Sequence, residues 1–312
     1  MILPQTEWIA PKQFPDLSKH DEIAIDLETR DPNLKKLGSG SIIGMGEIVG
    51  IAVAVEGWKG YFPFGHLGGG NMIPEQVKKY MKDVCALPNT KIFHNAQYDV
   101  GWLEASGITV NGPIVDTMIA AALIDENRFS YKLDHLSKDY LGERKQGNLL
   151  EEFGKEHGFR AIEYMHMVPV EYAGIYAEQD TNLTLKLWNV LRVEIQKQGL
   201  TDIFNLETDL LRLLLEMRWK GVRVDLEQAE KTKRFFKSEE EKIYSNIKKE
   251  TGIKIDSSDS YTAASLQKVF DKLGEKYEYK EKNKQAKISN TAMRESENPL
   301  IQSLSIAREY NK

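Results

Sequence analysis

Two carboxylates one residue apart set the first chemical question. In EIAIDLETR, residues 22–30, Ile23, Ile25 and Leu27 alternate with Ala24, Asp26 and Glu28. The period of two predicts a strand with both acids on one face. Side chains at i and i+2 stand about 6.5–7 Å apart along such a strand, and two carboxylates at that spacing repel unless a cation lies between them. Taken alone, the pair fits either a solvated outer face or half of a metal site. Two further blocks hold acids beside potential helpers: NAQYD, residues 95–99, and YAEQD, residues 176–180. Tyr176 and Asp180, four residues apart, share a face if the segment is helical. Asp26, Glu28, Asp99 and Asp180 gathered in one place demand cations. Oxygen-only ligation suits Mg²⁺ or Mn²⁺, and two such ions about 3.5–4 Å apart hold both the attacking and the leaving oxygen of a phosphoryl displacement. The substrate matching that chemistry is a phosphodiester.

The elements that must carry these residues follow from pattern and punctuation. After the first strand comes the Gly/Pro/Asn-rich stretch RDPNLKKLGSGSIIGMG, and then EIVGIAVAVEGWKGYFPF, which predicts two strands joined by a turn over 56–60. GHLGGGN, residues 65–71, lacks the Gly-Lys-Ser/Thr ending of a phosphate-binding P-loop and is assigned as a connector. Pro74 opens an amphipathic helix. KIFHN is a short buried strand running into the helix QYDVGWLEAS, and PIVDTMIAAALID repeats the strand-to-helix transition. The order β-β-β-α-β-α predicts a mixed sheet with helices packed on it. The region from Leu133 to Trp188 is mainly helical, and a long helix starting near Val170 carries Tyr172, Tyr176 and Asp180 on one side. A second long helix over 205–235 is broken at Lys220-Gly221. Beyond it, KSEEEKIYSNIKKE is charged almost all round, as an exposed helix would be, and the Lys-rich EKYEYKEKNKQAK, residues 275–287, is expected to be a mobile loop, with DNA contact as the alternative.

Bulk properties bound the rest. A chain of 312 residues with 41% hydrophobic content has room for two domains. The single Cys85 can make no intramolecular disulfide and no Cys/His cluster exists, which argues against a structural zinc site and suits a reducing cytoplasm. No basic, apolar-cored leader and no run of 18 apolar residues is present, so neither export nor a membrane partner is expected. Residues 1–204 hold 20 Lys+Arg against 28 Asp+Glu, a net of −8, whereas residues 205–312 hold 22 against 19, a net of +3. An acidic first part accords with clustered carboxylates, and a mildly basic second part is compatible with phosphate contacts.

The blocks Asp26-Leu27-Glu28-Thr29, Asn95-Ala96-Gln97-Tyr98-Asp99 and Tyr176-Ala177-Glu178-Gln179-Asp180 resemble the three exonuclease motifs of the DEDD superfamily in its tyrosine branch, as found in the proofreading domain of family A DNA polymerases. DLETRDPNLKKLGSG and YFPFGHLGGGN resemble polymerases of bacteriophage type. The resemblance implies an α/β, RNase H-like mixed sheet flanked by helices. It implies that Asp26, Glu28 and Asp180 ligate a first Mg²⁺ or Mn²⁺, and that Asp26 bridges to a second with Asp99 helping through water. Tyr176 would orient the attacking water together with Glu28. Asn95 and Thr29 would position the terminal nucleotide or the metal site. Leu27 and Tyr98 would pack on its base or support the motif, a core aromatic being the alternative for Tyr98. Asp116 is expected to cap the helix after it, and His94 and His166 to be structural.

Further on, LETDLLRLLLEMRWKGVRVD resembles the linker helix of family A polymerases, and SSDSYTAASLQKVFDKLG with NPLIQSLSIAREYNK resembles their thumb. The expected domains are an exonuclease over 1–204 and a helical linker with a partial thumb-like region over 205–312. The palm and fingers of such a polymerase have no counterpart here, so this chain alone is expected to lack polymerase activity. A split polymerase completed by a separate palm-and-fingers subunit and a truncated or free-standing exonuclease both fit. The expected activity is 3′-to-5′ hydrolysis of DNA from a single-stranded 3′ end or primer terminus, in a bacterial or phage-infected cytoplasm. An RNase D-like RNA exonuclease and a non-catalytic primer-end binding subunit are the alternatives.

Overall fold

Five strands, β1 (Glu22–Arg30), β2 (Glu47–Val55), β3 (Trp58–Pro63), β4 (Thr90–Phe93) and β5 (Ile114–Asp116), form one sheet in the order β3-β2-β1-β4-β5. β1 runs antiparallel to β2, and β2 to β3, whereas β4 lies parallel to β1 and β5 parallel to β4. The mixed sheet expected from the element order is therefore present in this computed structural model, which describes residues 6–145, 147–281 and 285–311. The chain divides into two units, residues 1–221 and 222–312.

In the first unit the helices are α1 (Leu34–Leu37), α2 (Gly40–Ile43), α3 (Pro74–Ala86), α4 (Ala96–Ala105), α5 (Thr117–Ile124), α6 (Leu133–Leu141), α7 (Asn148–His157), α8 (Val170–Lys197) and α9 (Thr201–Lys220), with 3-10 turns at Ala161–Glu163 and Met165–Met167. One face of the sheet, carrying Ile23, Ile25, Leu27, Ile51, Val53 and Phe62, is covered by Val77, Met81 and Val84 of α3 and by Val100 and Leu103 of α4. The acid-bearing face of β1 is covered too. It begins at Ala24, which with Ala54 of β2 packs against Leu183, Leu187 and Leu191 of α8. Ala52 and Val49 meet Tyr172, Ala173, Tyr176 and Ala177 of the same helix. Asp26 pairs with Ala52 and Glu28 with Gly50, so the strand residues beside the acids are small and α8 can approach closely enough to bring its own polar residues onto them. A solvated outer face is thereby excluded for the pair.

Helix α9 starts at Thr201 and buries Phe204, Leu211 and Leu215 in the first unit; the Arg212 guanidinium donates to the Val110 carbonyl at 2.7 Å. The division expected after residue 204 falls inside this helix.

The second unit is mainly helical: α10 (Leu226–Thr251), α11 (Ala263–Leu273), α12 (Asn290–Glu295) and α13 (Pro299–Tyr310). Side-chain N-caps start these four, Asp225 onto Gln228 N–H, Thr262 onto Ser265 N–H, Ser289 onto Ala292 N–H and Asn298 onto Leu300 N–H. The charged stretch in α10 is not polar all round, because Tyr244, Ile247 and Thr251 are buried on one side, the first two beside Leu266, Val269, Phe270 and Leu304. The segment expected to be a mobile loop holds a small antiparallel pair, β6 (Glu278–Tyr279) and β7 (Ala286–Lys287). Ala286 is buried and Tyr277 packs edge-on against Phe270, an apolar anchor that lysine content concealed. Residues 282–284 of that segment lie outside the described residues.

Candidate active site

β1 supplies the first two acids and a break in its own ladder. Glu28 lies opposite Gly50 but Thr29 lies opposite Ile48, so Val49 is the extra residue of a bulge placed between Glu28 and Thr29. Bulges bend a strand and re-aim its side chains. Past the bulge, the Thr29 hydroxyl is 2.7 Å from the Tyr98 hydroxyl, which also donates to Asp31 Oδ2 at 3.2 Å.

The second block enters on α4. Asn95, between β4 and α4, is the one non-glycine residue with positive φ among the described residues, at 71°; asparagine tolerates that left-handed conformation better than most residues. The turn is held by Asp116, whose carboxylate accepts Asn95 N–H at 3.0 Å, Ala96 N–H at 2.8 Å and Met118 N–H at 2.8 Å. Asp116 thus caps α5, as expected, and also fixes the start of α4. One turn into α4, Asp99 is buried close enough to β1 that the Leu27 backbone N–H pulls its pKa down, against the larger rise from burial.

The third block lies on α8, where Tyr176 and Asp180 are both buried on the sheet-facing side. The four acids share one electrostatic neighbourhood. Burial, then the charge of Asp180, pushes Asp26 up to about 7 against the pull of Lys145. Burial, then Asp26 and Asp180, holds Glu28 well above the usual carboxylate range. Asp99 is raised by burial, then by Asp26 and Asp116, and Asp180 is raised by burial although Lys145 opposes it. Burial and the same acids raise Tyr176 well above its ordinary value, so its phenol stays protonated at neutral pH.

Of the residues expected at the site, Asp26, Glu28, Asp99, Tyr176 and Asp180 are brought together. Thr29 and Tyr98 form a hydrogen-bonded pair, and Asn95 is exposed at the head of α4. Leu27 points to the opposite side, into the apolar layer under α3 and α4. His94 is structural in its contacts, with Nδ1 2.8 Å from the Thr117 hydroxyl and its pKa driven down to about 4 by burial and by Lys145.

Three neighbours carry no local sequence signal. Lys145, between α6 and α7, donates to Asp180 Oδ2 in a short ion pair and to the Tyr176 hydroxyl at 3.2 Å. Tyr61 of β3 lies over Gly50, where a Cβ would stand 1.9 Å from its hydroxyl oxygen. That hydroxyl is 2.7 Å from His66 Nε2, and His66 Nδ1 is 2.9 Å from the Val168 carbonyl. Because a carbonyl only accepts, Nδ1 carries the proton and Nε2 accepts from Tyr61. The connector 65–71 thereby contributes a support to the floor beside Glu28.

The donor set is all oxygen, as hard divalent cations require, and Asp180 Oδ1 is buried without a hydrogen-bond partner. Among the described residues no three His, Cys, Asp or Glu side chains stand arranged around a single ion position; the Lys145 ammonium is the cation at Asp180. The donors therefore fit a divalent metal in kind and charge, and one of them, Asp180, is held by a lysine.

A family described as 3'-5' exonuclease matches residues 5–196. The chain is 30% identical over 314 residues to a DNA-directed DNA polymerase of Pseudomonas phage M6, covering 98% of this chain and 47% of that protein. It is 35% identical over 156 residues to DNA polymerase DpoZ of Acinetobacter phage SH-Ab 15497 (48% and 25% covered) and 30% identical over 195 residues to DNA polymerase I of Chloroflexus aurantiacus (61% and 20% covered). The chain spans about half, or less, of the length of these relatives. Among solved structures, the POL domain of Pol1 from M. smegmatis in complex with DNA primer-template and dNTP is similar with a TM-score of 0.62 at 19% identity, covering 94% of this chain and 45% of that one, a likeness of fold. In the described residues no helix is long and apolar enough to cross a membrane. With the family match covering most of the chain, the protein belongs to the 3'-5' exonuclease family of family A DNA polymerases.

Proposed function

We propose that this chain removes nucleotides from the 3′ end of DNA by metal-dependent hydrolysis, as the proofreading part of a DNA polymerase. The observation that carries the proposal is that the buried Asp180 carboxylate and Tyr176 hydroxyl meet at one Lys145 ammonium, with Asp26, Glu28 and Asp99 close enough to raise one another's pKa. Asp26, Glu28 and Asp180 would hold one Mg²⁺ or Mn²⁺, and Asp26, with Asp99 behind it, a second. Such a pair, when bound, supplies Lewis-acid activation of water and neutralises charge on the departing 3′ oxygen.

The chain's own groups orient and exclude. Tyr176, kept protonated, acts as a hydrogen-bonding guide for the attacking water rather than as a base, and Glu28 receives the other side of that water. Attack on phosphorus breaks the P–O3′ bond, which releases a nucleoside 5′-monophosphate and leaves a strand one residue shorter with a free 3′ hydroxyl. The exposed Asn95 and the hydrogen-bonded Thr29–Tyr98 pair would receive the terminal nucleotide. Exposed Leu34, Leu37, Ile162 and Tyr164, on segments tied by the Lys35–Glu163 ion pair at 2.7 Å, form an apolar surface on which Tyr164 would offer an unpaired base an aromatic face. Alignment with polymerases longer than this chain supports a role alongside polymerisation, with palm and fingers supplied by further sequence or by another subunit.

The test is incubation of 5′-labelled single-stranded DNA and a matched RNA with Mg²⁺, Mn²⁺ or chelator. Stepwise shortening of the DNA from its 3′ end, dependent on metal and reduced about a thousandfold or more in Asp26→Ala, is the expected result. Equal rates in wild type and Asp26→Ala would overturn the mechanism, and strong preference for RNA would overturn the substrate.

A further inference from the structure

Lys145 is the group at the pocket to which the hydrolytic scheme gives no part. Its side chain is only 25% exposed and meets an Asp180 side chain that is 4% exposed, which separates it from the solvated ion pairs of the surface. Besides the ion pair, its ammonium lies 3.2 Å from the Tyr176 hydroxyl and 5.2 Å from the centre of the Tyr176 ring. One cation therefore touches both functional residues of the third motif.

We propose that Lys145 is the resident counter-cation of the acid pocket, and that a divalent ion enters by exchanging with its ammonium at Asp180. The inference rests on the pocket being a divalent-metal site.

The local geometry suits exchange. α6 ends at Gly142 with φ 70°, and the loop that follows is pinned where Lys145 N–H donates to Asp134 Oδ1 at 3.2 Å. The backbone is held, while the four-carbon stem leaves the ammonium free to withdraw. Lys145 satisfies Asp180 Oδ2 and leaves Oδ1 buried and unpartnered, so half of the carboxylate remains open to an incoming ion. The charge balance points the same way. Four clustered acids exceed what one ammonium neutralises, and replacing one positive charge by two lowers the repulsion that remains.

If the ion must displace an ammonium, its measured affinity is net of that contact. Removing the ammonium then strengthens metal binding by about tenfold, the equivalent of one charged hydrogen bond. The test is calorimetric titration of Mn²⁺ into the full chain at about pH 8, on the alkaline side that carboxylate ligands require, for wild type, Lys145→Met and Lys145→Arg, with thermal unfolding in EDTA alongside. Lys145→Met is expected to bind Mn²⁺ about tenfold tighter and to unfold at a lower temperature than wild type in EDTA, because its acids lack any counter-charge. Lys145→Arg, which keeps a cation, is expected to stay within about threefold of wild type. Should Lys145→Met not unfold cooperatively, Lys145→Gln reads the same exchange with a polar side chain of similar reach. Unchanged or weaker Mn²⁺ affinity in the uncharged variant, with wild type binding normally, overturns the exchange and leaves the nuclease assignment standing. No Mn²⁺ binding by either protein overturns both.

Discussion

The Asp116 carboxylate holds Asn95 in its left-handed conformation by accepting its backbone N–H at 3.0 Å. With Ala96 and Met118 N–H groups bonded to the same carboxylate, Asp116→Ala leaves three donors without their partner and is expected to cost about 3 kcal/mol of stability. Because the α4 start carries Asp99, cleavage should fall with it. Denaturant unfolding within about 0.5 kcal/mol of wild type would show that the clamp is dispensable.

The raised acids predict a pH dependence whose sign is opposite to that of ordinary paired carboxylates. In the metal-free protein Asp26 is pushed from 3.8 up to about 7, and Glu28 and Asp99 are raised as well. The folded state then binds more protons than the unfolded state between those limits, so the slope of unfolding free energy with pH is negative there. This contribution is fully present below the unfolded value and is lost as pH rises through about 7. Divalent ions need the ionised acids, so their stabilising effect should grow over the same window. Melting temperatures in EDTA and in Mg²⁺ across that range should diverge with rising pH; parallel curves would contradict the shared pocket.

Tyr176→Phe keeps the ring and removes the hydroxyl that meets Lys145. Cleavage should drop about a hundredfold, in the range of a lost water-orienting contact, while Mn²⁺ affinity changes far less. A variant cleaving at the wild-type rate would remove the hydroxyl from the mechanism.

Gly50→Ala tests the floor beside Glu28. The added methyl would stand 1.9 Å from the Tyr61 hydroxyl oxygen and 2.2 Å from the ring carbon bearing it, so the ring must move and its hydrogen bond to His66 must break. A loss of about 1–3 kcal/mol is expected, as for other overpacked interiors, together with a reduced rate. A crystal structure with Tyr61 and His66 unmoved would refute the packing argument.

Much of the site was legible because its parts obey local periods. Asp26 and Glu28 share a face by the two-residue repeat of a strand, and Tyr176 and Asp180 share one by the four-residue repeat of a helix, so both blocks could be oriented before any contact was known. Asp116 was legible as a cap from its place before Thr117. What pattern could not convey was pairing between distant segments. The opposition of Glu28 to Gly50, which puts Tyr61 beside the acids, depends on the register of two strands. Lys145 reaches Asp180 from a loop 35 positions earlier, and no repeat predicts such a contact. The pairing of β6 with β7 was hidden for another reason: two-residue strands carry too few side chains for alternation to show, and lysines dominated the composition.

The run of Ala24, Ala52, Ala54 and Gly50 beneath α8 means that the depth of one interface decides whether the chemistry can occur. Helix α8 and strand β1 each bring two members of the reactive set, and beside the acids they meet across Ala52 and Ala54, whose side chains are single methyl groups. A valine at Ala52 would wedge the halves apart and silence the enzyme with every acid intact. Inactivating changes in this lineage should therefore be sought as readily among its smallest side chains as among its charged ones.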